Sequence, residues 1–274
     1  MSKLLSKWSK TLGIAGGLLL GSTIVGNLTA QALPEDQVLK KLDPVPVFTI
    51  ADEQGAPLVR EIENEGKIAG VFISQDDANK VVEEIKKQNP ELAEKVNVVP
   101  VSLGEIYKLS ETAESQENSL NFIYQPEEEA VISAKEIGEA NQQPYKGGVP
   151  LFVAKGGDDG GYLTIEKDSQ QVIPFFFDKK QLEELVTKFK EQKPEVASSV
   201  DIEVVPLEGV IETLETSEDK MLEKIVLVPT AESIQFLQGA GQGAAPAPGG
   251  VTAPATETTP GATPEVTPEA APAE

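Results

Sequence analysis

An internal repeat constrains the fold of this chain more than any other feature of its sequence. The stretch Val-Pro-Val-Phe at 45–48 returns 104 residues later as Val-Pro-Leu-Phe at 149–152, and the apolar run 71–73 returns at that spacing as 175–177. Weaker matches follow in the same order at slightly different spacings: Val-Val-Pro at 98–100 and 204–206, Gly104 with Gly209, and Pro126 with Pro229. Self-similarity in unbroken order predicts two copies of one structural unit.

Each copy carries the same succession of strand and helix patterns. The runs 68–73 and 172–177 are apolar on both alternating faces, which predicts strands inside a sheet with helices on both sides. Each run is followed by a helix-capping residue, Ser74 or Asp178, and then by an apolar stripe with helical spacing that stops before a proline. We therefore predict an α/β protein with mixed sheets, built from two tandem β-β-β-α-β-α-β-α units related by a pseudo-two-fold axis.

The two ends of the chain are predicted to lie outside these units. Residues 1–32 contain lysines and no acid, then a short apolar run and Ala30-Gln31-Ala32, which is the order of parts in a secretory signal peptide. An uncleaved membrane anchor is the alternative, but the apolar run is short for one. From 239 onward Pro, Ala, Gly and Thr dominate, which predicts a disordered tail that is either passive or a partner-binding tether. The predicted division is a signal peptide (1–32), a first repeat (33–143), a second repeat (144–238) and a tail (239–274).

The chain contains no cysteine and no histidine, and its formal net charge is −22. Thiol redox chemistry, Cys or His metal sites and Cys- or His-based catalysis are thereby excluded. We expect a non-enzymatic protein without cofactor or metal, and a carboxylate-dependent hydrolase is the remaining enzymatic alternative. The acidity disfavours nucleic acid as a partner. After the signal peptide no run of 18 apolar residues follows, so we expect no stable membrane insertion of the mature chain.

Several segments invite a binding interpretation, and most have a simpler one. The triple phenylalanine at 175–177 is expected in the core. The glycine-rich stretch 156–161 is expected to be a turn whose acids, Asp158 and Asp159, are solvated, with calcium ligation as the alternative. The acidic connectors 111–117 and 215–219 are expected to be solvated faces, or else contacts for basic chain segments.

The last helical pattern contains the apolar residues Ile234, Phe236 and Leu237. Ile234 and Leu237 have a spacing that suits core packing, whereas Phe236 falls off that stripe and is expected to be more exposed. An exposed apolar groove beside this helix is therefore a candidate binding surface.

The order of motifs resembles the Tic-twenty-two (Tic22) family, which is named after the translocon at the inner chloroplast envelope and has cyanobacterial members. The residues that carry the resemblance are Leu-Pro-Glu at 33–35, Val-Pro-Val-Phe-Thr-Ile at 45–50, Val-Phe-Ile-Ser at 71–74, Gly-Val-Pro-Leu-Phe at 148–152 and Pro-Phe-Phe-Phe at 174–177. It covers roughly residues 33–238.

This resemblance implies an exported protein of the cyanobacterial periplasm, with the thylakoid lumen as a second expected location. It implies a chaperone-like factor that supports protein transport and outer-membrane biogenesis. The implied partners are unfolded or translocating proteins and an outer-membrane barrel-assembly protein with POTRA domains. If clients of this kind bind, we expect Ile234, Phe236 and Leu237 to be the client-binding residues. A non-chaperone adaptor or scaffold of outer-membrane assembly is the alternative.

Overall fold

The computed structural model of the protein describes residues 32–62, 66–114, 120–156, 161–192 and 200–240. Most of the predicted signal peptide and tail lie outside these ranges, as do Asp158, Asp159 and the end of the first acidic connector. Within the ranges, no helix is long and apolar enough to cross a membrane.

The first half of the chain forms a mixed sheet in which β1 is the central strand. The elements are α1 (Glu35–Leu42), β1 (Pro46–Asp52), β2 (Val59–Ile62), β3 (Gly66–Phe72), α2 (Gln75–Gln88), α3 (Pro90–Ala93), β4 (Val96–Ser102), α4 (Leu103–Glu114), β5 (Leu120–Gln125) and α5 (Glu128–Ala140). Strand β1 is antiparallel to β3 and β4. Strand β3 also pairs with β2 in antiparallel and with β5 in parallel orientation.

The second half forms a second mixed sheet around β6. Its elements are β6 (Pro150–Gly156), β7 (Gly161–Tyr162), β8 (Ile165–Lys167), β9 (Gln170–Phe176), α6 (Lys179–Gln192), β10 (Asp201–Pro206), α7 (Leu207–Thr216), a 3₁₀ helix (Lys220–Lys224), β11 (Ile225–Val228) and α8 (Ala231–Ala240). Strand β6 is antiparallel to β7, β9 and β10, and β9 also pairs with β8 and, in parallel, with β11. The predicted α/β class with mixed sheets is confirmed. Relative to the predicted unit, the first half adds α1 and α3, and the second adds β7 and the 3₁₀ helix.

Corresponding strand pairs of the two sheets share one spacing along the chain. Phe48 faces Phe72 across β1 and β3, and Phe152 faces Phe176 across β6 and β9. Both α4 and α7 start where a strand ends, and their first amides donate to the carbonyl oxygens of Val45 and Val149 at 2.8 and 2.7 Å.

Two of the weaker sequence matches were wrong as structural equivalences. In the register of the sheets Pro100 lies opposite Phe48, and it is Val204 that lies opposite Phe152. The match of 98–100 with 204–206 is therefore displaced by two residues. The match of Gly104 with Gly209 is displaced by one, because α4 and α7 start at Leu103 and Leu207. A two-residue slip is hard to detect in a sequence because it leaves every strand side chain on the same face of the sheet.

One face of each sheet enters a shared hydrophobic core. Val47 and Val71 of the first sheet belong to the same buried cluster as Leu151, Val153 and Phe175 of the second. Helices α1, α4 and α7 contribute further buried side chains to this cluster. Apolar area removed from water is worth about 25 cal/mol per Å², so the shared core is the main term that holds the two sheets together.

The outer faces of the sheets are covered by helices that the two halves exchange. Helix α5 ends the first half but packs, with α6, on the second sheet, where Ala130 and Ala134 join the cluster of Phe152. Helix α8 ends the second half but packs, with α2, on the first sheet, where Phe236 joins the cluster of Phe48. Both helices thus cover the sheet of the other half, and the division at 143/144 remains a prediction about sequence units.

Candidate functional site

The structure places α8, which carries the predicted client-binding residues, on the outer face of the first sheet. On this helix Phe236 is half-buried, and the expectation that it is the more exposed residue stays a prediction. Its ring meets the fully buried ring of Phe48 edge to face, with centroids 5.4 Å apart and planes at 83°. Ile234 is half-buried, and the side chain of Leu237 lies outside the described residues. Because α8 packs on the sheet of the other half, that sheet decides which face of the helix is covered.

Phe236 is one end of a row of apolar side chains that crosses the outer face of the first sheet. Phe48 lies beside Phe72 in the next strand, and Gly70 two residues earlier pairs with Ile123 of the edge strand β5. The Phe72 ring leans over Gly70, where a Cβ atom would lie 3.1 Å from it. Ile123, which pairs with Gly70 across the two strands, lies on the same face of the sheet and is 40% exposed. We call the side chains of Phe236, Phe48, Phe72 and Ile123 the apolar row.

Among the residues that the structure describes, two further large apolar side chains are exposed, Val59 at 36% and Ile132 at 50%. Val59 lies on β2, which pairs with the part of β3 that precedes Gly70. Ile132 lies on α5, whose buried side is formed by Ala130, Ala134 and Gly138. Neither belongs to the apolar row, so Ile132 provides a comparison for exposed apolar surface elsewhere.

A single carboxylate fastens the start of α8 to the start of α2. Glu232 accepts hydrogen bonds from the Ser74 hydroxyl at 3.0 Å and from the backbone amides of Gln75 and Asp76 at 3.1 and 3.3 Å. The first amides of a helix have no partner within the helix, and the helix dipole favours a negative charge there. Close by, the buried Ser233 hydroxyl donates to the carbonyl oxygen of Ile73 at 3.4 Å.

Glu127, just before α5, titrates in an unusual range. Burial raises the pKa of its carboxyl from 4.5 to about 7, and neighbouring carboxylates add to the rise. These neighbours come from four segments: Glu232, Asp178, Asp77 and Glu129. In the described part of the chain, no cluster of three or more potential ligands could hold a metal ion.

The start of α6 is linked to the start of α5 by a similar set of hydrogen bonds. Asp178 caps α6 by accepting from the backbone amide of Lys180 at 2.8 Å. The ammonium of Lys180 in turn donates to Glu129 of α5 at 2.8 Å. Acids from both helix pairs raise the pKa of Glu127. The first turns of α2, α5, α6 and α8 therefore lie around one acidic region.

Other predicted segments have structural roles. Phe175, Phe176 and Phe177 are buried, which confirms their assignment to the core. The acidic connector 215–219 is not simply solvated: Glu215 accepts from the Tyr107 hydroxyl, and Asp219 caps the 3₁₀ helix through the amide of Met221 at 2.8 Å. Burial, assisted by Glu215, raises the pKa of Tyr107.

A groove that the sequence did not single out lies between α1 and the edge strand β11. Its volume is about 520 Å³, and it is lined by Gln37, Lys40, Lys41, Pro44, Lys167, Glu223, Ile225, Val226 and Leu227. The half-buried ammonium of Lys41 donates to the carbonyl oxygens of Glu223 and Ile225 at 2.8 and 3.0 Å. Burial lowers the pKa of Lys41, and the charge of Glu223 opposes this effect. Because the lining comes from three segments that are distant along the chain, no local sequence motif predicts the groove.

Comparisons with known proteins agree on one family. The model of the Tic22-like family matches residues 14–239. The protein "TIC 22, chloroplastic" of Pisum sativum is 25% identical over 228 residues, which cover 82% of this chain and 85% of that protein. The protein of the same name from Arabidopsis thaliana is 23% identical over 198 residues, which cover 72% and 68% of the two chains.

Solved structures show the same architecture. Tic22 of Anabaena, described as a protein of protein transport, matches with a TM-score of 0.69 and 28% identity over 76% of this chain and 97% of that one. Tic22 from Plasmodium falciparum matches with a TM-score of 0.62 over 75% and 98% of the two chains. At 20% identity, the Plasmodium structure supports the fold alone.

Proposed function

The chain belongs to the Tic22-like family, and from this premise we propose that it is a protein-transport factor that holds unfolded or translocating chains in a chaperone-like manner. The role in protein transport is taken from the Anabaena relative, which is 28% identical. The holding of clients is our own inference, and it depends on the apolar row.

The apolar row suits an unfolded client because both of its ends reach the surface. Ile123 is 40% exposed at one end, and Phe236 is only partly covered at the other. Phe48 and Phe72 lie between them and are buried in one cluster with Phe236. An unfolded segment that lies across β5 could remove Ile123 and its surroundings from water, and such burial is non-directional and tolerant of client sequence.

The acidic surface complements this apolar contact. A net charge of −22 keeps a protein with exposed apolar side chains soluble, because copies repel each other. We propose export to a periplasm-like compartment, on the basis of the signal-peptide pattern at 1–32. We also propose a binding rather than a catalytic role, and a barrel-assembly protein with POTRA domains as a folded partner.

The internal repeat allows the two sheets to be compared position by position. We infer that the two halves are tandem copies of one unit, on the basis of the spacing shared by the pairs Phe48–Phe72 and Phe152–Phe176. The copies differ at the position of Gly70, whose counterpart at the same spacing is Pro174. The first sheet therefore has a glycine beside its second phenylalanine, next to the exposed Ile123, where the second sheet has a proline.

The test is light scattering of an unfolded outer-membrane protein that aggregates on dilution, with and without the full mature chain and without ATP. We expect suppression of aggregation at near-stoichiometric amounts, and we expect Ile123→Ser to weaken it severalfold by removing one exposed apolar side chain. The matched control is Ile132→Ser, which makes the same chemical change at an exposed position outside the row.

The two variants separate the possible outcomes. Equal loss in both variants would show that general surface hydrophobicity, rather than the apolar row, holds clients. No suppression by the unaltered chain would overturn the chaperone proposal. Binding to folded POTRA domains without any effect on unfolded chains would then favour the adaptor role.

A further inference from the structure

The groove between α1 and β11 contains an open sheet edge. Strand β11 pairs on one side with β9 in parallel register, and across the described residues no strand pairs with its other side. The carbonyl oxygen of Val228 accepts from the amide of Phe177 at 3.2 Å. Because residues of a strand alternate in the direction of their backbone groups, Val226 and Val228 bond toward β9, and Ile225 and Leu227 point into the groove.

The backbone groups of one of these two residues already have hydrogen-bond partners. Ile225 donates its amide to Leu222, and its carbonyl oxygen accepts from Lys41. For Leu227 the described part of the chain provides no backbone partner outside the β9–β11 ladder. The Leu227 side chain is buried in the core, and its N–H and C=O face the groove, where one residue of an added strand could pair with both.

The charge of the groove is opposite to that of the protein. Lys40, Lys41 and Lys167 line it together with the single acid Glu223, in a chain of net charge −22. Lys40 is exposed, and its pairing with Asp36 at 3.0 Å is a surface ion pair of the kind that contributes little and exchanges readily. Lys41 uses two donors for carbonyl oxygens, and an ammonium has three.

We propose that this groove binds an extended acidic segment of another protein by adding it as a strand along the edge of β11. One residue of the segment pairs with the Leu227 backbone, and carboxylates at flanking positions meet the lysines. A carboxylate beside Lys41 would compensate a charge that burial now disfavours. Distant acids of the protein oppose binding only weakly, because charges are screened beyond about 8 Å at physiological ionic strength.

The chain's own end is a poorer occupant than an external segment. Residues 241–274 contain acids and no base, but Glu265, Glu269 and Glu274 each lie within two residues of a proline. Proline has no N–H to donate to a sheet ladder, so such a sequence is ill suited to strand addition. The proposal does not depend on the chaperone proposal, because the groove lies on the second sheet and uses polar and ionic contacts.

The experiment is fluorescence anisotropy with the full mature chain and a labelled peptide of alternating Glu and Val. We expect saturable binding, and we expect a Lys–Val peptide to bind at least about tenfold more weakly. Lys40→Glu and Lys167→Glu should each weaken binding by about tenfold. Lys86→Glu, an exposed change of the same charge on α2, should leave it within about twofold. Thermal unfolding midpoints equal to that of the unaltered chain will show that the variants are folded.

Two further probes test the mode and the source of the segment. Methylation of alternate backbone nitrogens on the pairing edge of the peptide should abolish binding, and undiminished binding would overturn strand addition. A peptide of residues 257–274 that bound as tightly as the Glu–Val peptide would assign the groove to the chain's own tail. No binding of any acidic peptide would show that the lysines only guard the edge against aggregation, which is a known use of lysine on edge strands.

Discussion

The carboxylate of Glu232 accepts a hydrogen bond from the hydroxyl of Ser74 at 3.0 Å, although the two residues lie in opposite halves of the chain. Two backbone amides of α2 donate to the same carboxylate. The exchanged helix α8 is therefore held at its start by hydrogen bonds to the Glu232 carboxylate, and farther along by the packing of the Phe236 ring on Phe48.

Replacing Glu232 by alanine should lower the free energy of unfolding. The first amides of α2 lose a charged acceptor, and loss of such a cap typically costs about 1–2 kcal/mol. Urea denaturation followed by circular dichroism measures the change. Glu83→Ala, an exposed position of α2, is the control. Equal stabilities of the two variants would show that the Glu232 contacts contribute nothing.

Glu127 should make stability fall as the pH rises. Its pKa is raised to about 7 in the folded state from 4.5, so between these values the folded chain binds more protons than the unfolded chain. The penalty is absent below pH 4.5 and complete above about 7, where the ionised carboxyl faces Glu232, Asp178, Asp77 and Glu129, with Lys180 as the nearby cation.

The measurement is urea denaturation of the parent chain and of Glu127→Gln at about pH 5 and about pH 8. We expect the variant to gain about 1–2 kcal/mol relative to the parent between the two conditions, a range already reduced for solvent screening of this partly exposed group. The free energy of unfolding is compared between the two chains at each pH, because other carboxyls titrate in both chains. A difference that does not change with pH would contradict the raised pKa.

Phe236→Ala should destabilise the protein through its contact with Phe48. The change removes an edge-to-face aromatic pair and uncovers part of a buried ring, at a cost of about 1–3 kcal/mol. Phe236→Leu keeps apolar volume and should recover part of this loss. Chemical denaturation gives both values. If the alanine variant were as stable as the parent, the packing of α8 on the first sheet would be refuted.

Gly138→Ala should be destabilising although alanine is the better helix former. A Cβ atom at this buried position of α5 would lie 2.8 Å from both the carbonyl oxygen of Gln143 and the amide nitrogen of Tyr145, which are backbone atoms. We expect a loss of about 1–3 kcal/mol, against a propensity gain of up to about 1 kcal/mol. Thermal unfolding measures the stability of both variants. Gly161→Ala, where a Cβ atom meets nothing within 4 Å, should be close to neutral.

Local patterns predicted the elements of the fold where one segment contained all the information. Ser74 was predicted to cap a helix, and it accepts from the amide of Asp77 at 3.4 Å. The runs 68–73 and 172–177 lie largely within β3 and β9, which pair with strands on both sides. In each case the spacing of apolar side chains is imposed by the element itself.

The candidate site was harder to predict because it depends on which sheet receives each helix. The apolar stripe of α8 is the same whether it packs on its own half or on the other, so the sequence could not show that Phe236 packs on the ring of Phe48. The groove at β11 combines Lys41, Lys167 and Leu227, which are far apart along the chain. A lysine in the last turn of a helix such as α1 is common without any such groove, since it complements the helix dipole.

The exchange of α5 and α8 also sets an order of events on the ribosome. A chain made from its N-terminus completes the strands of the first sheet by Gln125, but the helix that covers Phe48 begins only at Ala231. Until more than one hundred further residues have emerged, the outer face of the first sheet lacks part of its cover. We expect stable folding to be completed only at the end of synthesis, which would keep the nascent chain accessible to machinery that threads it across a membrane.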